Sequence, residues 1–202
     1  MKFDWLNRKN NKDLIVFFNG WGSIYPSKLQ FSNFDLIMFH DYKSFEPITF
    51  DFSNYERKYL IAWSLGVFVC NFYFDIFKNF NRYTAINGTQ IPIDDNFGIP
   101  VNAYNLTIDN FNELTCKKFI KKIGDNLIIY RNIDDLKQEL ISIKNLKPTE
   151  FFKFNKVIIS KNDKIFPYKN LKAFWENKSA EIIELNALHY VFNLYKNWDD
   201  LI

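Results

Sequence analysis

The sequence predicts an α/β fold: a mostly parallel sheet flanked by helices. Short runs rich in β-branched and aromatic residues recur along the chain, longer helical segments separate them, and tight-turn residues follow several of the runs. The runs are Leu14 to Phe18, Phe34 to Phe39, Lys58 to Trp63, Tyr83 to Asn87, Val157 to Ser160 and Glu181 to Leu185. Their near-continuous apolar character suits strands covered on both faces, the habit of a parallel sheet between layers. The turn signals are Asn19-Gly20-Trp21-Gly22, Asn87-Gly88-Thr89 and Lys161-Asn162-Asp163. Loops at these carboxyl ends line the ligand crevice of such sheets.

Helices are expected over Val67 to Phe77 and Tyr168 to Asn177. From about Gln90 to Asn155 the alternation breaks, and Leu127-Ile128-Ile129-Tyr130 is the one strand-like run there. Two helices are readable in that interval. The first begins near Asp109, carries Cys116, Phe119, Ile120 and Ile123 at helical spacing, and stops at Gly124. The second runs from about Asp134 to Asn145 with Leu136, Leu140 and Ile143 on one side. Residues 1–202 are thus expected to form a single domain, with about 90–155 inserted either as a lid or as ordinary scaffold.

A chain of 202 residues can bury a full core, and 48% hydrophobic with 24% charged residues excludes disorder as the main state. The formal net charge of +3 is too small to imply a nucleic-acid partner. The start, Met1-Lys2-Phe3-Asp4-Trp5, has no signal-peptide pattern, and no apolar run approaches the ~20 residues of a membrane span, so a cytoplasmic protein without a membrane partner is expected. Cys70 and Cys116 both fall on apolar helical positions, which favours two packed, reduced thiols over a disulfide. Neither has a Cys or His neighbour at metal spacing, so no metal site is expected.

Between a strand-like run and a helical one stands Ala62-Trp63-Ser64-Leu65-Gly66. A nucleophilic serine on a sharp strand-to-helix turn needs small residues two positions to either side, where a larger side chain would strike the strand or the helix. Ser64 is therefore a candidate nucleophile, although it would equally serve as the cap of the following helix. A serine hydroxyl needs a base, usually histidine, and the chain has two, His40 and His189. The chain order Ser, acid, His of α/β-hydrolases selects His189 and leaves His40 as a structural imidazole. Asp163 follows the Val157 to Ser160 strand and precedes His189 by one helix and one strand, so both should emerge at the same sheet edge; its alternative role is a turn aspartate. An oxyanion hole needs two backbone N–H groups, and Leu65 and Trp21 occupy the expected places. The fold class is accordingly an α/β-hydrolase fold with a helical lid insertion.

Several segments together resemble the BioG-type pimeloyl-[acyl-carrier protein] methyl ester esterases of biotin synthesis. They are Phe17-Phe18-Asn19-Gly20-Trp21-Gly22, the Ser64 pentapeptide, Ala85-Ile86-Asn87-Gly88-Thr89 with Pro92-Ile93-Asp94 and Gly98-Ile99-Pro100, Asp163-Lys164-Ile165-Phe166-Pro167, and His189-Tyr190-Val191-Phe192. The resemblance implies removal of a methyl ester from a carrier-bound seven-carbon diacid by Ser64, Asp163 and His189, with the Trp21 and Leu65 amides holding the oxyanion. It implies no cofactor, acyl-carrier protein as partner, and a monomer. Another esterase or thioesterase of the same machinery, or a fold that only binds the carrier, are the competing readings.

Helical spacing of about 100° per residue places Lys117, Lys118, Lys121 and Lys122 within roughly 140°, opposite Cys116, Phe119, Ile120 and Ile123. Such a stripe is either a solvated face or a landing surface for an acidic carrier protein.

Overall fold

The structure, a computed structural model, describes residues 1–22, 26–124 and 131–202. Its centre is a sheet of seven strands: β1 (Lys2–Asn7), β2 (Asp13–Phe18), β3 (Phe34–His40), β4 (Arg57–Trp63), β5 (Arg82–Ile86), β6 (Lys156–Ser160) and β7 (Glu181–Leu185). They lie in the order β1-β3-β2-β4-β5-β6-β7. Only the β1–β3 pair is antiparallel. This is the α/β-hydrolase architecture that the six apolar runs predict. Every residue of β2 and β6 is buried, as strands covered on both faces require.

Strand β1 has no counterpart among the predicted runs. Its charged residues Lys2 and Asp4 face solvent at the sheet edge, a placement that hides the strand from an apolar-run criterion and discourages edge-to-edge pairing. His40 ends β3 and meets Asp4 Oδ2 across this edge at 2.8 Å.

Alternate residues of β2 feed two cores. Leu14, Val16 and Phe18 join the larger one, beneath the helices. Ile15 and Phe17 join the other, which is closed by Val191, Phe192, Trp198 and Leu201 of the C-terminal segment. Lys156 Nζ holds that segment by donating to the Asp200 and Ile202 carbonyls at 3.0 and 3.1 Å. Cys70 and Cys116 are buried free thiols, and burial pushes both above the ordinary thiol range.

The helix expected over Val67 to Phe77 is instead three short turns: α1 (Gly66–Val69), a 3₁₀ turn (Cys70–Tyr73) and α2 (Phe74–Phe77). Buried Asn71 explains the break. Its Nδ2 donates to the Val67 and Phe68 carbonyls, competing with the helical ladder, while its Oδ1 accepts from Gln90 Nε2 and the Phe152 amide.

Between β5 and β6 the described residues form three helices rather than two: α3 (Val101–Asp109), α4 (Glu113–Ile123) and α5 (Ile133–Lys144). The expected start near Asp109 is corrected, since Asp109 ends α3. Helix α4 starts later because Asn112 caps it: its Oδ1 accepts the Leu114 and Thr115 amides, and Thr115 Oγ1 accepts the Asn112 amide. Gly124, at φ +92°, stops α4 as expected. Helix α3 escapes prediction because Val, Asn, Tyr and Thr are mediocre helix formers; tertiary contacts hold it, including Tyr104 Oη donating to the Leu140 carbonyl at 2.9 Å. The run Leu127-Ile128-Ile129-Tyr130 lies outside the described residues. Helix α6 (Tyr168–Trp175) begins after Pro167, close to expectation. No described helix is long and apolar enough to cross a membrane.

Candidate active site

Strand β4 delivers the chain into a tight turn at Ser64, whose φ of +57° lies in the left-handed region that non-glycine residues seldom occupy. The turn is held by Ser64 N–H donating to the Ile86 carbonyl at 2.9 Å. Its neighbours show why small residues are needed. A Cβ on Gly66 would stand 2.3 Å from the Phe18 carbonyl oxygen, and one on Gly88 would stand 2.3 Å from the Ser64 carbonyl oxygen. A Cβ on Gly20 would come within 2.8 Å of the Trp63 ring and 3.2 Å of Ser64 Cβ. The loops after β2 and β5 therefore clasp the serine turn from both sides. Ser64 is not a helix cap: Leu65 occupies that position in α1, with no side-chain cap bond.

His189 Nε2 lies 2.9 Å from Ser64 Oγ, and His189 Nδ1 lies 2.7 Å from Asp163 Oδ2. All three residues are buried. The carboxylate fixes the tautomer: Nδ1–H donates to Asp163, which leaves Nε2 to accept the serine hydroxyl proton. Asp163 also fulfils its alternative role, because Oδ1 accepts the Ile165 and Phe166 amides at 2.7 and 3.0 Å. A turn aspartate and an imidazole partner are thus one residue, with its two oxygens divided between the tasks.

Three residues that the motif reading did not single out fix the imidazole. Phe166 stacks nearly parallel to it, with centroids 6.0 Å apart and planes 6° apart, and the Trp63 ring tilts against it at 5.3 Å. Asn87 Nδ2 donates to the His189 carbonyl at 2.7 Å and to Ser160 Oγ at 2.8 Å, while Asn87 Oδ1 accepts the Ser160 amide at 2.7 Å. Asn87 adopts φ +44°, and its sequence signal was only that of a turn asparagine before glycine. The Tyr190 amide donates to the Ile123 carbonyl at 2.8 Å, which ties the loop bearing His189 to the end of α4.

The backbone N–H groups of Trp21 and Leu65 have no hydrogen-bond partner among the described residues, so both remain available to an oxyanion. In front of Ser64 lies a cavity of about 400 Å³, roofed by α3 and α4 and walled chiefly by apolar side chains such as Trp21, Leu106, Phe111, Phe119 and Leu140. Lys118, Lys122 and Lys164 also line it. The lysine stripe is therefore divided: all four lysines are exposed, but Lys118 and Lys122 line the cavity whereas Lys117 and Lys121 do not. Among the described residues no group of His, Cys, Asp or Glu could hold a metal ion.

A family model described as "Pimeloyl-ACP methyl esterase BioG" matches residues 1–201. The crystal structure of BioG from Haemophilus influenzae is 30% identical, with a TM-score of 0.89 over 100% of this chain and 99% of that one. A malonyl-[acyl-carrier protein] O-methyltransferase from Bacteroides fragilis (strain 638R) is 33% identical over 204 residues, 89% of this chain and 40% of that protein. The chain thus spans about two fifths of the length of that relative. An esterase from Exiguobacterium antarcticum, 13% identical with a TM-score of 0.67 over 94% of this chain and 88% of its own, shares the fold alone. With a family model matched across nearly its whole length, the chain belongs to the BioG family of α/β-hydrolase esterases.

Proposed function

We propose that this chain removes the methyl ester from pimeloyl-[acyl-carrier protein] methyl ester, giving pimeloyl-[acyl-carrier protein] and methanol in biotin biosynthesis. The observation that carries the reading is the continuous contact Ser64–His189–Asp163, at 2.9 and 2.7 Å. Ser64 Oγ attacks the ester carbonyl as His189 Nε2 takes its proton, and Asp163 stabilises the imidazolium. The carbonyl oxygen gains negative charge and accepts hydrogen bonds from the Trp21 and Leu65 N–H groups; a single such donor contributes about 10²–10³-fold to kcat. The C–O bond then breaks, and His189 returns the proton to the departing methoxide, releasing methanol. Water, deprotonated by the same imidazole, attacks the acyl-enzyme and restores Ser64. No cofactor takes part in these steps.

The cavity supports the substrate class, since its mostly apolar wall suits the methylene chain while Lys118, Lys122 and Lys164 suit the anionic carrier. In this reading helices α3 to α5 act as the lid, and the carrier approaches the α4 lysines. The test is mass spectrometry of the methyl-pimeloyl carrier before and after incubation. Loss of one methylene mass with the wild type, and none with Ser64→Ala, is the expected result. Release of the free carrier thiol would instead identify a thioesterase, and failure of a fluorophosphonate to label Ser64 would leave a binding protein.

A further inference from the structure

The loop Asn19 to Gly22, which carries the Trp21 N–H, leaves β2 and passes against Ser64. Strand β3 holds the start of the loop, where the Asn19 amide donates to the Phe39 carbonyl at 3.0 Å. Here α5, far along the chain, grips it at two points. The Trp21 indole Nε1–H donates to the Leu136 carbonyl of α5 at 2.9 Å. One turn further along α5, Glu139 Oε1 accepts the Tyr42 amide at 3.0 Å, and Tyr42 Oη donates to the Asn19 carbonyl at 2.6 Å. Glu139 is itself buried and paired with Arg131.

Resting on the serine-esterase reading above, we propose that α5 positions the oxyanion hole through these two links, with Tyr42 and the Trp21 indole as positioning groups for the Trp21 N–H. The chemistry of the links suits a fixed rather than an adaptable loop. Tyr42 is fully buried, and burial pushes its phenol well above the ordinary range, so the hydroxyl keeps its proton and donates at any working pH. The Trp21 ring also packs between Phe111 and Phe119, at centroid distances of 5.1 and 4.9 Å, and walls the cavity. An acyl chain in the cavity therefore touches the ring whose own backbone N–H faces the reacting carbonyl. Substrate seating and oxyanion stabilisation meet in one residue.

The effect to expect is on turnover. A buried hydrogen bond contributes about 0.5–1.5 kcal/mol, so loss of one link should lower kcat roughly 2- to 12-fold. The experiment compares wild type, Tyr42→Phe, Trp21→Phe and the double variant with one small soluble ester and with the carrier-bound methyl ester, alongside melting temperature and the rate of fluorophosphonate labelling. Tyr42→Phe is expected to lower kcat and labelling rate by that factor with both substrates while KM stays within twofold. The double variant should lose less than the product of the two single losses, because both act on one loop. Folded variants with unchanged kcat, or a change confined to KM, would overturn the positioning role and leave the esterase reading standing. A wild type that neither hydrolyses an ester nor labels would overturn both.

Discussion

Asn87→Ala is the perturbation with the most to say about how the base is held. The asparagine is wholly buried and its side chain makes three hydrogen bonds, two from Nδ2 and one to Oδ1. Truncation takes from the Ser160 amide its partner Oδ1, whereas the His189 carbonyl keeps the Trp63 indole at 3.3 Å. One orphaned buried N–H costs about 1–3 kcal/mol, and the two lost donations about 1 more. Alanine at a positive φ adds about 1–2 kcal/mol over asparagine, whose short polar side chain tolerates that region better. The expected loss is therefore roughly 3–6 kcal/mol, or about 6–24 °C in melting temperature for a chain of this length. Activity should fall as well. With the His189 carbonyl held only by a long indole bond, the imidazole drifts relative to Ser64, and displacements of order 1 Å cost about 10²-fold. Calorimetry and ester hydrolysis at a temperature where the variant remains folded measure the two effects. A melting temperature within about 2 °C of wild type, with unchanged turnover, would refute the idea that Asn87 clamps the base.

Gly66→Ala should prevent correct folding of the serine turn, because the added Cβ meets backbone oxygen at 2.3 Å and backbone cannot step aside; recovery of soluble protein that labels with a fluorophosphonate at the wild-type rate would contradict this. Reversing Lys118 and Lys122 to Glu should lower kcat/KM for the carrier-bound ester by about 10-fold at low salt and spare a small ester, whereas Lys117→Glu with Lys121→Glu should do less; equal effects of the two pairs would remove the cavity mouth as the docking place. Burial raises the Glu139 carboxyl above its ordinary 4.5 despite Arg131 and the Tyr42 amide. The native state then binds the extra proton, so this group makes stability fall as pH rises from about 4.5 through the raised value. Glu139→Gln should remove that slope, as read by urea unfolding at several pH values, and an unchanged slope would count against it.

The six apolar runs, the serine pentapeptide and the order Ser64, Asp163, His189 were legible in the sequence because each is a local constraint. A strand buried on both faces must be apolar along its length, and a serine on a sharp turn must have small flanks; neither condition depends on distant residues. The elements that went unread are those whose stability comes from elsewhere. Edge strand β1 is decided by pairing with β3, helix α3 by packing on α5, and the broken helix after Ser64 by Asn71 bonding to Gln90 and Phe152. The same holds within the site. That Ser64 faces the imidazole rather than capping α1, that Asn87 bonds the His189 carbonyl, and that Lys118 and Lys122 rather than Lys117 and Lys121 line the cavity all turn on which residues meet across the fold. Sequence spacing fixes direction along one element, but a hydrogen bond between residues 64 and 189 exists only once β4 and the loop after β7 are brought to the same edge of the sheet.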